Sequence, residues 1–316
     1  MNYVVFDLEW NQCPYGKEME DAHLPFEVIE IGAVKLDSNK EFIDGFQQLI
    51  KPRVYRTLHW RTREIVNITR HMLDTEGIGF QEAVENFLRW AGPDAVFCTW
   101  GTTDLTELQR NMRYYKLLHL LPGPMHYLDV QKLFAVQYED MKKRRALEYA
   151  IDFLHIEKDK TFHRAQADAW YTGKVLQTIE QYIIDAYDSI DVYQNPKTKT
   201  DEIHLVYNGY TKFISREFEN KEDAMNDREV RSLCCSKCGR LSRKKIFWFS
   251  VNSRNYYSVG VCPEHGMMQG KIRMRKTDDG KLYVVKTIRP CSETDVIDIR
   301  QKKEEMRQKH RRHRGA

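Results

Sequence analysis

Four carboxylates and one histidine in this sequence have the types and spacing of a catalytic metal site. Asp7 and Glu9 are two residues apart, Asp104 follows a Gly-Thr-Thr turn, and His163 precedes Asp168 by five positions. Carboxylate oxygens are the ligands that hard cations such as Mg²⁺ prefer. An imidazole can accept a proton near neutral pH. The five residues therefore predict a site for two hard metal ions with a proton acceptor beside it.

Each of the five residues also has a simpler interpretation when it is taken alone. Asp104 would open a helix and could cap it, while Asp7 and Glu9 could line an exposed strand face. Asp168 could be a solvated helix acid, and His163 a loop histidine with ordinary hydrogen bonds. Because all five occur in chain order, each on a credible element, the joint pattern favours the metal site.

The elements that must position these residues follow from hydrophobic periodicity. Asp7 and Glu9 leave the same face of an otherwise apolar strand, where burial and mutual repulsion raise carboxylate pKa values and a divalent cation offsets that cost. Strands first in meander and then alternating with helices are typical of an α/β layer fold with a mixed sheet. We predict strands at 3–8, 26–36, 41–50, 95–99 and 126–129, and helices at 57–67, 80–90, 105–118, 146–155 and 165–187.

The order Asp-x-Glu, Asp, His-x4-Asp resembles the DEDD superfamily of 3′–5′ exonucleases, in its histidine subgroup. Ala165 and Ala169 strengthen the resemblance, as does Ile29-Glu-Ile-Gly-Ala33, and together the similarity covers about residues 1–187. Trp100-Gly-x-x-Asp104 is similar to the exonucleases that regulate histone mRNA and RNA interference. The resemblance implies a ribonuclease H-like fold, a mixed sheet flanked by helices.

The same resemblance implies a mechanism in which Asp7 bridges two Mg²⁺ or Mn²⁺ ions. Glu9 and Asp168 would hold the ion that carries the attacking water, and Asp104 would hold the other. Two ions about 3.5–4 Å apart stabilise the attacking and leaving oxygens of an in-line displacement. His163 would take the proton from the water, and the product would be a nucleoside 5′-monophosphate.

Single-stranded nucleic acid is the substrate that the resemblance implies, and RNA is the preferred form by family analogy. A DNA proofreading or repair exonuclease and a non-catalytic nucleic-acid-binding regulator are the alternatives. Relatives carry threonine after the glutamate, where this chain has Trp10-Asn11, so Trp10 would stack or pack there. We expect substrate contacts from residues beside the acids and from later cations: Leu8, Trp10, Asn11, Trp100, Arg243, Lys244 and Lys245.

Two short cysteine motifs form a second candidate metal site. Cys235-Ser-Lys-Cys238-Gly and Cys262-Pro-Glu-His265-Gly supply the four nitrogen and sulfur ligands of a structural Zn²⁺ site. The glycine after each pair would let the turn direct backbone N–H groups at sulfur, and the aromatic hairpin between the motifs is similar to a zinc ribbon. Buried free thiols with a surface histidine are the alternative. Two other cysteines could replace a ligand only with altered spacing, Cys234 and Cys291.

Charge is distributed unevenly along the chain. Residues 1–228 carry 28 Lys and Arg against 37 Asp and Glu, a net charge of −9, whereas 229–316 carry 22 against 9, a net of +13. An acidic front suits a metal site and a basic rear suits a polyanion, although basic surfaces often aid only solubility. We expect the rear to bind nucleic acid or a ribonucleoprotein. The predicted domains are an exonuclease domain at 1–187, a linker at 188–228, a zinc-ribbon-like nucleic-acid-binding module at 229–290 and a basic tail at 291–316.

Length and composition bound the remaining possibilities. The chain has 316 residues, 41% of them hydrophobic, which is enough for a sizeable core. No apolar run is long enough to cross a bilayer, and the start lacks the charged region and cleavage site of a signal peptide. The seven cysteines do not form a secreted disulfide framework. We therefore expect a soluble cytoplasmic protein that has no membrane partner.

Overall fold

The computed structural model describes residues 1–140, 143–277 and 279–314, and within them the chain forms two compact units, Met1–Tyr193 and Gln194–Ala316. The first unit agrees with the predicted α/β class, because one mixed sheet has helices on both of its faces. No helix in the described ranges is long and apolar enough to span a membrane.

The sheet of the first unit has six strands in the order β3-β2-β1-β4-β5-β6. The central strand β1 pairs antiparallel with β2 and parallel with β4, so the sheet is mixed. Its strands are β1 Asn2–Gln12, β2 Phe26–Leu36, β3 Phe42–Leu49, β4 Ala95–Thr99, β5 His126–Asp129 and β6 Ser189–Ile190. Its helices are α1 Trp60–Ile65, α2 Arg70–Thr75, α3 Phe80–Ala91, α4 Thr103–Tyr114, α5 Val130–Tyr138, α6 Leu147–Phe153, α7 Ala165–Thr178 and α8 Gln181–Ala186.

Alternation along β1 gives the sheet a core on each face. Val4 and Phe6 pack into the cluster that contains residues of α3 and α4. Tyr3 and Val5 pack into the opposite cluster, with residues of α5 and α7. Asp7 shares the parity of Tyr3 and Val5, so the periodicity of β1 turns Asp7 towards the face that α7 covers.

One predicted helix needed correction, and two observed helices were not predicted. The helix expected at 165–187 is two helices, because Ile179 is extended and fully buried and ends α7 before α8 begins. Helices α2 and α5 follow caps that the periodicity did not reveal. The Thr69 hydroxyl accepts a hydrogen bond from the Met72 N–H, and the Asp129 carboxylate accepts one from the Lys132 N–H.

In the described residues, the second unit has a six-stranded sheet in the order β7-β8-β12-β11-β10-β9 and the α-helices α9 to α11. The β-rich class agrees with the prediction, but the unit is larger than a zinc ribbon. Segment 188–228 is not simply a linker, because β8 pairs with β12 and so completes the sheet. The strands are β7 Ile203–Tyr207, β8 Tyr210–Ile214, β9 Arg243–Ser250, β10 Asn255–Cys262, β11 Gly266–Lys276 and β12 Leu282–Pro290. The helices are α9 Lys221–Asn226, α10 Arg228–Arg231 and α11 Glu293–Arg314.

The segment predicted as a basic tail is largely the helix α11. Val296 and Ile299 are buried three residues apart and pack against Ile246 and Val259 of the sheet. This apolar stripe packs the otherwise charged helix against the sheet of the second unit. The last two residues, 315 and 316, lie outside the described part of the chain.

Candidate active site

Three of the predicted carboxylates come together where β1 meets the start of α7. Asp7 and Glu9 occupy alternate positions of β1, and Asp168 lies in the first turn of α7. One oxygen atom from each of the three lies within 4.8 Å of the other two. The three side chains are therefore close enough to coordinate one shared cation.

Burial and mutual repulsion shift the titration of these acids. Burial, followed by the charges of Asp104 and Glu9, raises the pKa of Asp7 well above its usual range. Burial and the Asp168 charge raise the pKa of Glu9 to about 8. Burial raises the pKa of Asp168 to about 6, against a lowering contact from the His163 N–H. A bound divalent cation would replace the protons that these groups otherwise retain.

The Asp168 carboxylate also has an unused ligand atom. Its Oδ1 is buried and has no hydrogen-bond partner among the described residues. A buried carboxylate oxygen without a partner is costly unless a cation or water satisfies it. The orphaned oxygen and the all-carboxylate donor set both fit a hard divalent cation such as Mg²⁺ or Mn²⁺.

Asp104 lies beside this group but is not part of the close set of three. It is nearly fully buried in the first turn of α4. Its carboxylate accepts hydrogen bonds from the backbone N–H groups of Leu8 and of Asp104 itself, yet burial still raises its pKa to about 7. The bond to Leu8 holds Asp104 next to Asp7, where it fits a second ion or a water-mediated contact.

His163 lies on the exposed loop that leads into α7. Its backbone N–H donates to Asp168 Oδ2 over 3.1 Å, which ties the loop to the carboxylate group. Its φ of +62° is in the left-handed region, a conformation that costs a non-glycine residue roughly 1–2 kcal/mol. Such strained residues concentrate at functional sites. The imidazole is thus exposed to solvent and anchored beside a candidate metal ligand.

Glu30 is a site residue to which the sequence analysis gave no role. Its fully buried carboxylate accepts from the Arg164 guanidinium, with Nη2 at 2.7 Å, and from the Ala165 N–H at 3.1 Å. Gln47 Nε2 donates to it over 2.7 Å. Glu30 therefore caps the first turn of α7 from a neighbouring strand and fixes the turn that carries Asp168. The sequence feature that could have identified Glu30 is an acidic residue within a run of apolar residues on β2.

Small residues on both sides allow α7 to approach the sheet. Gly32 on β2 lies so close to the helix that an added Cβ would overlap the backbone N of Gln166 and the carbonyl C of Ala165. Ala165 and Ala169 are fully buried on the helix side. The position of Asp168 over β1 therefore depends on the absence of a side chain at Gly32.

Gly32→Ala is expected to weaken Mn²⁺ binding at the carboxylate group roughly 10- to 100-fold, as loss of a supporting contact does at other metal sites. The new methyl group must displace the backbone of α7 and move Asp168 away from Asp7. Calorimetric titration with Mn²⁺ measures the effect. Gly45→Ala is the matched control, because its Cβ would meet the flexible end of the Gln166 side chain at 3.0 Å and would lie at an ordinary contact distance of 3.9 Å from the Ala33 carbonyl oxygen. Equal affinities in the two variants would contradict the prediction.

Leu8 and Asn11 do not serve the substrate through their side chains as predicted. Leu8 is buried in the first core. Asn11 is fully buried, and its amide Nδ2 donates to the Tyr55 and Thr57 carbonyl groups at 2.9 Å each. Its Oδ1 accepts from the His59 N–H at 2.9 Å. Asn11 therefore holds the loop that precedes α1 and has no free group for a substrate.

The two tryptophans near the site are partly exposed and partly used in packing. Trp10 lies against Phe26, with ring centres 5.6 Å apart. Trp100 donates its indole N–H to the Arg145 carbonyl over 3.1 Å and lies 6.1 Å from the Phe134 ring. Packing accounts for one face of each ring, and substrate contact by the remaining surface stays a prediction.

In the second unit, the four predicted zinc ligands converge. The closest ligand atoms are Cys235 Sγ and His265 Nδ1 at 3.6 Å, Cys238 Sγ and Cys262 Sγ at 3.7 Å, and Cys262 Sγ and His265 Nδ1 at 3.7 Å. Tetrahedral ligands at the usual zinc distances of about 2.0–2.3 Å lie roughly 3.3–3.8 Å apart. The distances between the ligand atoms therefore fit one tetrahedrally coordinated Zn²⁺ ion.

Backbone N–H groups at this site stabilise the thiolate form of Cys262. Burial raises the pKa of Cys262, but N–H donors from Glu264 and His265 outweigh it and bring the pKa down to about 6. Gly239 and Gly266, which follow the two pairs, have positive φ values of +71° and +74°. Cys234 and Cys291 lie outside the group of four.

The three predicted cations of β9 do not form one surface. Arg243 is exposed opposite Val261, whereas Lys244 lies opposite Gly260 on the other face of the sheet. Burial lowers the pKa of Lys244. Consecutive residues of a strand alternate between faces, so Lys244 faces away from Arg243, and a register shift leaves Lys245 unpaired. Contact of the three with nucleic acid stays a prediction.

Comparisons with solved structures give low sequence identities. The nuclease domain of 3′hExo, a DEDDh family member bound to rAMP, is 18% identical, with a TM-score of 0.48 over 56% of this chain and 90% of that one. S. pombe Pop2p in its Mg²⁺- and Mn²⁺-bound form is 16% identical, with a TM-score of 0.43 over 58% and 83%. E. coli Exonuclease I in complex with an oligonucleotide is 14% identical, with a TM-score of 0.46 over 86% and 54%.

No curated protein matches the sequence. The model of the RNase T exonuclease family matches residues 4–176, more than half of the chain. That range holds all five residues of the predicted catalytic set. The chain belongs to this exonuclease family.

Proposed function

We propose that this exonuclease removes nucleoside 5′-monophosphates from the 3′ end of single-stranded RNA with the help of two Mg²⁺ or Mn²⁺ ions. The observation that carries the proposal is the close group of Asp7, Glu9 and Asp168. In this group, the buried Oδ1 atom of Asp168 lacks a hydrogen-bond partner among the described residues. The exposed His163 is tied to the same group by its backbone.

Each residue of the predicted catalytic set has a separate role in this proposal. When bound, the two ions would neutralise charge on the phosphate and activate water. Asp7, Glu9 and Asp168 would hold one ion, and Asp104, beside Asp7, would help to hold the other. His163 accepts the proton of the attacking water. Glu30 touches no reacting atom and acts as a positioning residue for the turn that carries Asp168.

RNA is proposed over DNA because Trp100-Gly-x-x-Asp104 resembles exonucleases that act on RNA, and the 2′-hydroxyl is the group that distinguishes the two substrates. The test is digestion of matched 3′-labelled single-stranded RNA and DNA with Mg²⁺ or Mn²⁺. We expect the label to leave as a nucleoside 5′-monophosphate, faster from RNA. Faster release from DNA would favour the proofreading or repair alternative, and labelled internal fragments would contradict exonuclease polarity.

We further propose that Cys235, Cys238, Cys262 and His265 hold one structural Zn²⁺ ion. Four ligands without an open position are typical of structural rather than catalytic zinc. Cys235 and Cys262 are buried and pack with Leu233 and Met268 into one cluster of the second unit. The ion would therefore stabilise the ends of β10 and β11 together with the segment before β9.

Cys238→Ser is expected to remove zinc from the purified protein and to lower the melting temperature of the second unit. Structural zinc contributes on the order of 10 kcal/mol in small domains, so loss of one ligand is a large change. Metal analysis and thermal denaturation measure the two effects. Cys234→Ser is the matched control, because Cys234 adjoins the site without belonging to it. Equal zinc content in both variants would refute the ligand assignment.

A further inference from the structure

The two faces of the second sheet are covered to different extents. On one face, residues of α9 and α10 pack over Ile272 and Val284, in the middle of the sheet. On the opposite face, α11 packs over Ile246 and Val259, which belong to β9 and β10 at one side. The next strand, β11, lies beside α11 and is exposed at alternate residues, 273 and 275.

Three cations line this side of β11. Lys271, Arg273 and Arg275 are alternate residues, so they project to the same side in steps of roughly 6.7 Å. Lys271 lies opposite Tyr257 in the antiparallel pairing of β11 with β10, and residues paired in this way share a face. Because Tyr257 packs with the α11 cluster, the three cations lie on the α11 side.

The charges of this row are not neutralised locally. None of Lys271, Arg273 and Arg275 forms an ion pair with any residue that the structure describes, and β11 has no acidic side chain. Other cations of the same unit are paired: Arg216 with Glu202 and Asp227, Arg240 with Glu264, Lys281 with Glu219, and Arg289 with Asp295. The row is thus a concentration of uncompensated positive charge.

Aromatic rings lie between the row and the helix. The Nζ atoms of Lys271 and Lys302 lie 5.7 and 5.3 Å from the centre of the Tyr257 ring. Phe249 is the neighbouring ring, with its centre 6.5 Å from that of Tyr257 and the Nζ atom of Lys303 at 6.0 Å. Tyr257 and Phe249 are half-buried and lie between two sets of cations, one on β11 and one on α11; we call this surface the groove.

We propose that this groove binds the backbone of single-stranded nucleic acid. The cations of β11 and α11 would contact phosphates, and the two aromatic rings would lie beneath sugars and bases, the combination found in sequence-tolerant single-strand sites. Charge complementarity selects a polyanion as the occupant. The choice of nucleic acid rests on the proposed exonuclease function, because a second contact would hold a substrate that is shortened stepwise.

The test measures binding of a fluorescent single-stranded oligonucleotide to the full chain over a series of NaCl concentrations. All proteins carry Asp7→Asn, so that cleavage does not interfere. Combining Lys271→Gln, Arg273→Gln and Arg275→Gln should weaken binding at least tenfold at low salt. The slope of log affinity against log salt should fall by about 2, since each phosphate contact with a single strand contributes about 0.7. Arg273→Gln alone should lower it by about 0.7.

The matched control removes three exposed cations from α9 and α10, on the opposite face. Lys221→Gln, Arg228→Gln and Arg231→Gln together change the net charge by the same amount, and binding should stay near that of the parent. An equal loss in both triple variants, or no loss in the β11 variants, would overturn the proposal. The result does not depend on catalysis. If the chain with Asp7 intact binds the oligonucleotide but releases no mononucleotide with Mg²⁺ or Mn²⁺, that result contradicts the exonuclease proposal alone.

Discussion

Replacing Asp7 with asparagine should abolish metal-dependent hydrolysis and, in the absence of Mg²⁺, raise the melting temperature. Burial and the charges of Asp104, Glu9 and Asp168 all raise the pKa of Asp7, so its ionised form is unfavourable until a cation is bound. A neutral amide removes both the repulsion and the ligand charge. We expect hydrolysis to fall at least a thousandfold, which corresponds to about 4 kcal/mol.

The gain in stability should depend on pH in a defined direction. The folded pKa values of Asp7 and Glu9 are raised, the latter to about 8. The stability that these two groups contribute to the metal-free fold is therefore fully present below the ordinary carboxylate range and is lost as the pH rises towards 8. Asp7→Asn should therefore raise the melting temperature more at pH 8 than at pH 5, and added Mg²⁺ should stabilise only the parent at pH 8.

Thermal denaturation at the two pH values, with and without Mg²⁺, measures the change in melting temperature. Mononucleotide release measures the loss of hydrolysis. Asp94→Asn is a suitable control, because Asp94 is an exposed aspartate of the same unit. It should change neither stability nor rate. Hydrolysis by Asp7→Asn at saturating Mg²⁺ would remove the role of Asp7 as a bridging ligand.

The parts of the site that the sequence predicted depend on local spacing. Asp7 and Glu9 share a face because strand residues alternate, and Asp168 lies in a helical first turn just after His163. The role of Glu30 depends on a contact with Arg164, 134 positions away in the chain. Periodicity within one strand carries no information about such a partner.

Other misses arose where the partner lies far away in the chain. The register of β1 with β2 shifts between Glu9 and Trp10. The extra residue lies in β2, so β1 keeps its alternation, and Asn11 is buried because carbonyl groups of a loop more than 40 positions later cover it. In the second unit, β8 pairs with a strand about 70 residues later, with Ile214 opposite Val285. Without that distant partner, the polar sequence around β8 therefore resembles a linker.

Replacing His163 with asparagine should reduce the turnover number on the order of 10²- to 10⁴-fold, the usual contribution of a general base. His163→Ala should lose activity as well, but asparagine tolerates the left-handed backbone that this position requires. The contact with Asp168 uses the backbone N–H, which asparagine keeps. Mn²⁺ affinity and the Michaelis constant should therefore change little, and the deficit should shrink at high pH, where hydroxide replaces the base.

His155→Asn is the matched control for this substitution. His155 is also an exposed histidine with a left-handed backbone, at φ +54°, eight positions earlier in the chain. Its replacement should leave the turnover number unchanged, because its imidazole has no tie to the carboxylate group. Steady-state release of mononucleotides from a labelled oligonucleotide measures both variants. If His163→Asn keeps the parental rate, or if both variants lose activity equally, then the proton acceptor is a group other than the imidazole of His163.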